Sequence, residues 1–168
     1  PTCKALLHFD TTKDEQVFVK VGISAVDIEG ARKNVETEIP DWDFDGIRKD
    51  ARKAWNETLS KIDITTNDKN DKTIFYTALY HSLVMPRDRS GDNPHFQGTD
   101  HIDDHFCVWD TWRTAYPLLT LIEESFVART INSFIDRMAH DGKCTPTYTA
   151  SMEWDSKQGG DDVDNIIA

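Results

Sequence analysis

The sequence predicts a mixed, mainly α-helical fold with a short β-region at its start. Residues 4–9 and 16–23 are rich in residues that favour strands, and the polar cluster between them is typical of a turn. From Asp27 onward, apolar residues recur three and four positions apart, which indicates amphipathic helices. Because two strands alone are not stable in water, we expect those of residues 1–26 to pair with a sheet that precedes Pro1.

Two helices are predicted within residues 27–68. Asp27 is a favourable N-cap for a helix over residues 28–39, and Pro40 ends that helix. A second helix is expected to follow residues 41–45. It has a charged face opposite an apolar stripe made of Ile47, Ala51, Ala54, Trp55, Leu59 and Ile62. A helix of this kind lies on another surface, so we expect it to link two domains.

Three more helices are predicted within residues 69–168. The third spans about residues 71–84, and the fourth runs from near Trp109 to Ile122 with a kink at Pro117. The fifth covers about residues 124–140 and stops at Gly142. Its inward side chains are expected to be Val127, Ile131, Phe134, Ile135 and Met138. Residues 86–107 form a long loop, which in a compact domain is usually functional or disordered. This order is typical of the start of a helical toroid or bundle.

The composition excludes several classes of partner. The 168 residues include 30 acidic and 19 basic side chains, a formal net charge of −11, so nucleic acid and anionic membranes would be repelled. No apolar run approaches the roughly 18 residues of a membrane span. A neutral ligand such as a carbohydrate would not be repelled. The cysteines, Cys3, Cys107 and Cys144, show no CxxC spacing and are expected to be free thiols.

The last sixteen residues are the most distinctive segment. They hold Glu153, Trp154, four aspartates and the pair Gly159-Gly160, a set that neither a core nor a plain surface helix would carry. An aromatic face beside carboxylates is typical of the wall of a sugar-binding pocket. The segment stops within an apolar run at Ala168, so we expect the sequence to be a piece of a longer protein.

Glu153 is the strongest candidate for a catalytic residue. It follows a run of small residues that could bring the backbone close to a ligand. The adjacent Met152 and Trp154 could raise the pKa of its carboxyl group by desolvation, as a general acid requires. The alternative is an exposed glutamate without a catalytic role. The block Gly159-Gly-Asp-Asp162 is similar to part of a nucleotide-cyclase signature but lacks its apolar flanks.

The block Trp109-Asp-Thr-Trp-Arg113 is the second candidate. Trp109 supplies a flat apolar face, while Asp110 and Arg113 supply charged hydrogen-bonding groups, a combination suited to sugars. Alternatively, Asp110 only caps the fourth helix. In the preceding loop, His101 and His105 have a spacing found in metal sites on helices. A solvated acidic loop is the favoured interpretation there, because no helical pattern or catalytic glutamate accompanies the histidines.

These blocks resemble glycoside hydrolase family 92, the calcium-dependent exo-acting α-mannosidases. The resemblance runs in order through most of the chain from Lys20 onward. Its most diagnostic parts are Phe75-Tyr-Thr-Ala-Leu-Tyr-His-Ser82 and Trp109-Asp-Thr111. The other matching blocks are Lys20-Val-Gly-Ile-Ser24, Ala31-Arg-Lys-Asn34, Glu38-Ile-Pro-Asp-Trp-Asp-Phe-Asp45, Ala54-Trp-Asn56, Pro117-Leu-Leu-Thr-Leu-Ile122 and Asp164-Asn-Ile-Ile-Ala168.

The resemblance implies a three-part architecture. Residues 1–26 would be the last strands of an N-terminal β-sandwich, and residues 27–68 would be linker helices. Residues 69–168 would be the first helices of a truncated catalytic (α/α)6 barrel. The resemblance also implies export, so we expect a secreted or periplasmic protein.

The same resemblance implies an inverting enzyme that releases terminal mannose from glycans. Glu153 takes the place of the general acid, Trp109, Asp110 and Arg113 border the terminal-mannose pocket, and Ca²⁺ binds sugar hydroxyls. The general base and some calcium ligands are expected beyond Ala168, so the chain alone should be inactive. The flanks of Glu153 differ from the Gly-Asn-Glu-Thr of many members, which leaves linkage preference and calcium ligands open. Two alternatives are a non-hydrolytic carbohydrate-binding protein of the same architecture and a helical interaction module whose acidic loops bind metal.

Overall fold

The computed structural model describes residues 4–13, 16–96, 98, 100–142, 147–149, 159 and 162–168, and the backbone of residues 150 and 153–155. Within this part of the chain the fold is mainly helical, as predicted. The helices are α1 (Ile28–Glu38), α2 (Phe44–Leu59), α3 (Lys69–Ser82), α4 (Val108–Thr111), α5 (Ala115–Ile122), α6 (Glu124–Asp141) and α7 (Asp164–Ile167). The strands are β1 (Arg87–Asp88), β2 (Ile102–Asp103), β3 (Tyr148–Ala150) and β4 (Glu153–Asp155). None of the described helices is both long and apolar enough to cross a bilayer.

The two β-rich runs near the start do not form strands in described residues 4–13 and 16–27. No neighbouring strand pairs with them there, and large apolar side chains such as Leu6 are exposed, by 81% in that case. The segment is joined to α1 and to the later loop by a few hydrogen bonds. Lys20 Nζ donates to the carbonyl of Ile39 at 2.7 Å, and Ser24 Oγ donates to Asp92 at 2.5 Å. A β-sandwich formed by residues 1–26 therefore remains a prediction.

The first three helices each begin at an aspartate that caps the backbone. Asp27 accepts a hydrogen bond from the N–H of Gly30, as the sequence predicts, and Asp43 does the same for Gly46. Asp68 caps α3 through the N–H of Asn70. The second and third helices thus begin slightly earlier than expected, because an upstream aspartate supplies the cap.

The third helix packs against the second, and the residues just after α2 contact the start of α6. The rings of Trp55 and Tyr80 lie 4.5 Å apart between their centroids, and Tyr76 donates its hydroxyl proton to the carbonyl of Ile62. Lys61, just after α2, forms a 2.5 Å ion pair with Glu123. The apolar stripe of α2 faces α5 and α6 across a groove of about 350 Å³.

The predicted fourth helix is two helices, because the chain turns at residues 112–114 between α4 and α5. Pro117 lies in the first turn of α5, where a missing N–H breaks no helical hydrogen bond, so it causes no kink. The small hydrophobic core forms where these helices meet α6 and the segment before α7. Its members are Val108, Tyr116, Phe134 and Val163, with Ile166 and Ile167 packed against them.

The inward face of α6 differs from the prediction. Val127 and Phe134 are buried as expected, but Ile135 is 49% exposed and Met138 is 37% exposed. The buried positions include Thr130, Ser133 and Arg137 instead. The helix is rotated toward polar partners because β2 packs on it through hydrogen bonds. For example, the N–H of Ile102 donates to Ser133 Oγ at 2.8 Å.

Candidate active site

The loop between α3 and α4 is buried in part, so its interpretation as a solvated acidic loop is wrong for His101, Asp103, Asp104 and His105. His95 and Asp100 are exposed, as that interpretation predicts. Strands β1 and β2 pair in antiparallel register, with Arg87 opposite Asp103 and Asp88 opposite Ile102. We define the buried polar cluster as six side chains. Five come from this loop, Asn93, His101, Asp103, Asp104 and His105, and the sixth is Arg137 of α6. Each of them is at most 2% exposed.

Asp103 is the centre of the buried polar cluster. Its Oδ2 accepts hydrogen bonds from Arg137 at 2.6 Å and from Asn93 at 3.0 Å, while its Oδ1 accepts from the N–H of Asp104 at 2.9 Å. The His101 ring stacks on Phe96, and its Nε2 lies 3.8 Å from Asp103 Oδ2. A buried carboxylate with a cation and two further donors is electrostatically satisfied.

Asp104 is neutralised by arginines from the same loop. Arg89 donates to its Oδ2 through Nε at 3.0 Å and Nη2 at 2.8 Å, and Arg87 lies 3.6 Å away. Because arginines already neutralise both buried carboxylates, these residues do not fit a calcium ion. In the part of the chain that the structure describes, no group of three or more His, Cys, Asp and Glu side chains is arranged to hold a metal. The metal-binding acidic loop is therefore not supported there.

Both buried histidines are neutral near neutral pH. Burial lowers the pKa of His101, and burial lowers that of His105 to about 4. His105 Nε2 lies 3.2 Å from the carbonyl of Ile102, which can only accept, so this nitrogen carries the proton. Its Nδ1 then accepts from the hydroxyl of Tyr116 at 3.0 Å, and burial raises the pKa of that phenol.

Two residues between the buried polar cluster and α4 have a left-handed backbone conformation. Asp104 has φ 59° and Cys107 has φ 48°, which is unusual for residues with a Cβ. Cys107 is the N-cap of α4 and makes no side-chain capping hydrogen bond; its thiol is free and half-buried. Asp110 lies in the first turn of α4 rather than at the cap, so the capping alternative is wrong. The other two cysteines lie outside the described residues.

The three predicted sugar-binding side chains lie on and just after α4. Trp109 is half-buried, whereas Asp110 and Arg113 are exposed. The Arg113 guanidinium lies 4.5 Å from the centroid of the Trp112 ring, which orients it by a cation–π contact. The exposed carboxylate and guanidinium are available to a ligand, and they lie close in sequence to the half-buried Trp109.

The hairpin that carries Glu153 lies directly against this segment. Strands β3 and β4 are antiparallel, with Ala150 opposite Glu153 and Tyr148 opposite Asp155. The Tyr148 ring is stacked on Phe106 at 5.2 Å and faces Trp109 at 6.4 Å. The structure thus packs β3, the strand that pairs with the backbone of the predicted acid, against Phe106 and Trp109. Met152 and the side chains of Glu153 and Trp154 lie outside the description.

Gly159 packs against the Cβ and Cε3 atoms of Trp109. A Cβ on Gly159 would lie 3.1 Å from the Trp109 Cβ, and its φ of 69° favours glycine as well. This close approach explains one glycine of the Gly159-Gly-Asp-Asp162 block. Sequence analysis missed Phe106, Tyr148 and Thr149 as neighbours of the site, since only the folded hairpin brings residues 147–149 to residues 105–109.

Comparison with known proteins settles the family. Residues 30–168 match the family model described as the glycosyl hydrolase family 92 catalytic domain. The chain belongs to glycosyl hydrolase family 92. This membership confirms the resemblance seen in the sequence blocks, and the matched region begins within α1.

Two similar proteins illustrate the relationship. A protein described as an uncharacterized secreted glycosidase from Arthroderma benhamiae is 36% identical over 103 residues, covering 58% of this chain and 13% of the relative. The solved structure of a family 92 inverting mannosidase from Bacteroides thetaiotaomicron matches with a TM-score of 0.70 and 27% identity, over 82% of this chain and 20% of that one. This chain therefore spans a fifth or less of either relative. Because both are described as glycoside-cleaving proteins, the non-hydrolytic alternative is not favoured.

Proposed function

We propose that this family 92 chain is part of the catalytic domain of an inverting, exo-acting α-mannosidase that releases terminal mannose from glycans. Family membership and the likeness to an inverting mannosidase support the reaction class. The observation that carries the proposal is the contact of residues 147–149 with residues 105–109, because strand β3 pairs with the strand that carries Glu153. This contact supports a site shared by the acid candidate and the sugar wall.

Each candidate residue has a role in this proposal. Glu153 protonates the leaving glycosidic oxygen, and Trp109 packs on the apolar face of the terminal mannose. Asp110 and Arg113 form hydrogen bonds with its hydroxyl groups, because an exposed carboxylate and guanidinium are complementary to paired hydroxyls. Mannose is neutral, so the acidic surface does not repel it.

Inversion requires a second carboxylate that activates water. The two carboxyl groups of inverting glycosidases are roughly 6.5–9.5 Å apart. The family resemblance places this base beyond Ala168, so we expect the isolated 168-residue chain to release no mannose. Calcium also belongs to the proposal through the family resemblance alone. Secretion of the whole protein is supported by the relative described as secreted.

Glu153→Gln in the full-length enzyme tests the assignment of the acid. The amide keeps the shape of the side chain but has no proton to give, so kcat on a mannobiose should fall by about 10²–10⁴-fold. A dinitrophenyl α-mannoside, whose leaving group needs no proton, should lose far less. Equal losses on both substrates, or near-normal rates on the mannobiose, would refute the role of Glu153 as general acid.

A further inference from the structure

Thr149 joins the β3–β4 hairpin to the segment that leads into α4. Its Oγ1 accepts a hydrogen bond from the N–H of His105 at 2.9 Å, and its own N–H donates to the carbonyl of His105 at 2.8 Å. The side chain is fully buried. This residue therefore satisfies both backbone groups of His105, one through its side chain and one through its main chain.

The two residues before Thr149 also bind the segment that leads into α4. We call these contacts between residues 147–149 and residues 105–109 the junction. The carbonyl of Thr147 accepts from the N–H of Val108, the first residue of α4, at 3.0 Å. Tyr148 stacks on Phe106 and faces Trp109. Residues 147–149, which include the start of β3, are thus fixed to residues 105–109 at three consecutive positions, and only one of these contacts depends on a side-chain hydroxyl.

The junction sets the distance between the two halves of the proposed site. Thr149 is followed by Ala150, which is the register partner of Glu153. Residues 105–108 lead directly into Trp109 and Asp110. A shift of β3 relative to His105 would therefore move the backbone of Glu153 relative to the sugar wall. Misplacement of a catalytic group by about 1 Å can cost roughly 10²-fold in rate.

We propose that Thr149 is a positioning residue that holds the general acid of the hairpin at its working distance from the terminal-mannose pocket. This inference rests on the proposed function, since it takes Glu153 as the acid. The hydroxyl is the essential group. Valine has the shape of threonine but leaves the buried N–H of His105 without its acceptor, so β3 must shift or admit water.

The experiment compares leaving groups in the full-length enzyme. Thr149→Val should lose about tenfold or more in kcat on mannobiose, and less than about twofold on a dinitrophenyl α-mannoside, because only the first substrate needs a well-placed proton donor. Thr149→Ser keeps the hydroxyl and should restore the mannobiose rate to within about threefold of the wild type. The KM for both substrates should change little, since Trp109 and Asp110 stay on α4.

A matched control variant separates positioning from general destabilisation. Thr130 is equally buried, and its hydroxyl donates to the carbonyl of Phe126 within α6, so Thr130→Val removes a buried hydroxyl away from the hairpin. It should leave the ratio of rates on the two substrates unchanged. If Thr149→Val does not fold, Thr149→Ala and Thr149→Ser form a second pair that differs only by the hydroxyl.

The outcomes distinguish the inference from the function beneath it. If Glu153→Gln shows the leaving-group dependence and the hydroxyl-less Thr149 variants do not, the positioning role is wrong while the acid stands. If Glu153→Gln itself shows no such dependence, the acid assignment in the proposed function fails and the inference falls with it. Equal behaviour of Thr149→Ser and the hydroxyl-less variants would also overturn the role of the hydroxyl.

Discussion

Replacement of Arg137 by methionine should strongly destabilise the domain, and the loss should depend on pH. Arg137 is 2% exposed and Asp103 is 1% exposed, with 2.6 Å between the paired atoms. Methionine keeps most of the apolar volume but removes the charge, which leaves a buried carboxylate without its cation. Breaking a buried pair in this way typically costs about 3–5 kcal/mol in the free energy of unfolding.

His101 makes this loss smaller in acid. Its Nε2 lies 3.8 Å from Asp103 Oδ2, and its pKa is lowered by burial and by the positive charge of Arg137. Without Arg137, the attraction of Asp103 should raise the pKa of His101, so the imidazolium can replace the lost guanidinium. The folded variant then binds this proton more tightly than the folded wild type does, and its stability deficit should shrink as the pH falls through 6.5.

Urea unfolding of the full-length enzyme, followed by tryptophan fluorescence, measures the effect at about pH 8 and about pH 5.5, on either side of the usual histidine pKa. Two variants serve as controls. Adding Asp103→Asn to Arg137→Met removes the unpaired charge and should recover part of the loss. Arg129→Met should cost clearly less, because Arg129 is 34% exposed and pairs with the exposed Asp88 and Asp100. A loss under about 1 kcal/mol at pH 8 would refute the buried-pair argument.

Three further predictions follow from individual residues. His101 and His105 both have a lowered pKa in the fold, to about 4 for His105, whereas unfolded histidine titrates near 6.5. The unfolded state therefore binds protons first, and calorimetry should show stability falling as the pH drops from about 6.5 toward 4; a flat profile contradicts this. Gly142 ends α6 at φ 62°, and a Cβ added there would meet open space. Gly142→Ala should therefore lower the free energy of unfolding by about 1 kcal/mol through backbone strain alone, and Gly142→Asn should lower it less. Denaturant midpoints of the two variants measure this difference. Asp110→Ala should raise KM for mannosides without changing the melting temperature, because this carboxylate is exposed and caps nothing; unchanged kinetics would remove it from the pocket.

The long helices could be predicted because their signals are local. An aspartate at Asp27 and a left-handed glycine at Gly142 mark helix ends wherever the rest of the chain lies. The apolar spacing then fixes the helix type between such ends. The starts of α2 and α3 were less certain, since several aspartates compete for each cap and only the folded backbone selects one.

The buried polar cluster could not be predicted from composition. Residues 92–105 are rich in charge, which normally indicates a solvated loop. The burial of Asp103 within this stretch depends on Arg137, which lies 34 positions later and on another element. Strands of two residues carry no alternating pattern, so β1 and β2 gave no signal of their own. The same missing information explains the rotation of α6, because Ile135 and Met138 appear inward until the polar partner of Arg137 is known.

The candidate site was predictable by residue type and not by geometry. Trp109, Asp110 and Arg113 combine an aromatic face with charged groups, and that chemistry is visible in sequence. The contribution of Thr149 is visible only in the hydrogen bonds that its strand forms with His105. A threonine in a run of small residues is ordinary until its partner is identified.

The location of the buried charges supports a link between stability and site geometry. An apolar replacement of a buried ion pair is often as stable as the pair, so packing alone does not require Asp103 and Arg137. Ion pairs and hydrogen bonds, unlike apolar packing, fix the orientation of the groups that they join. Asp104 and Cys107 turn the chain through left-handed conformations just before α4, and such residues persist only when their surroundings fix them. The arginine contacts to Asp104 and the strand contacts to His105 supply that constraint, so the polar interior is concentrated where the orientation of Trp109 and Asp110 depends on it.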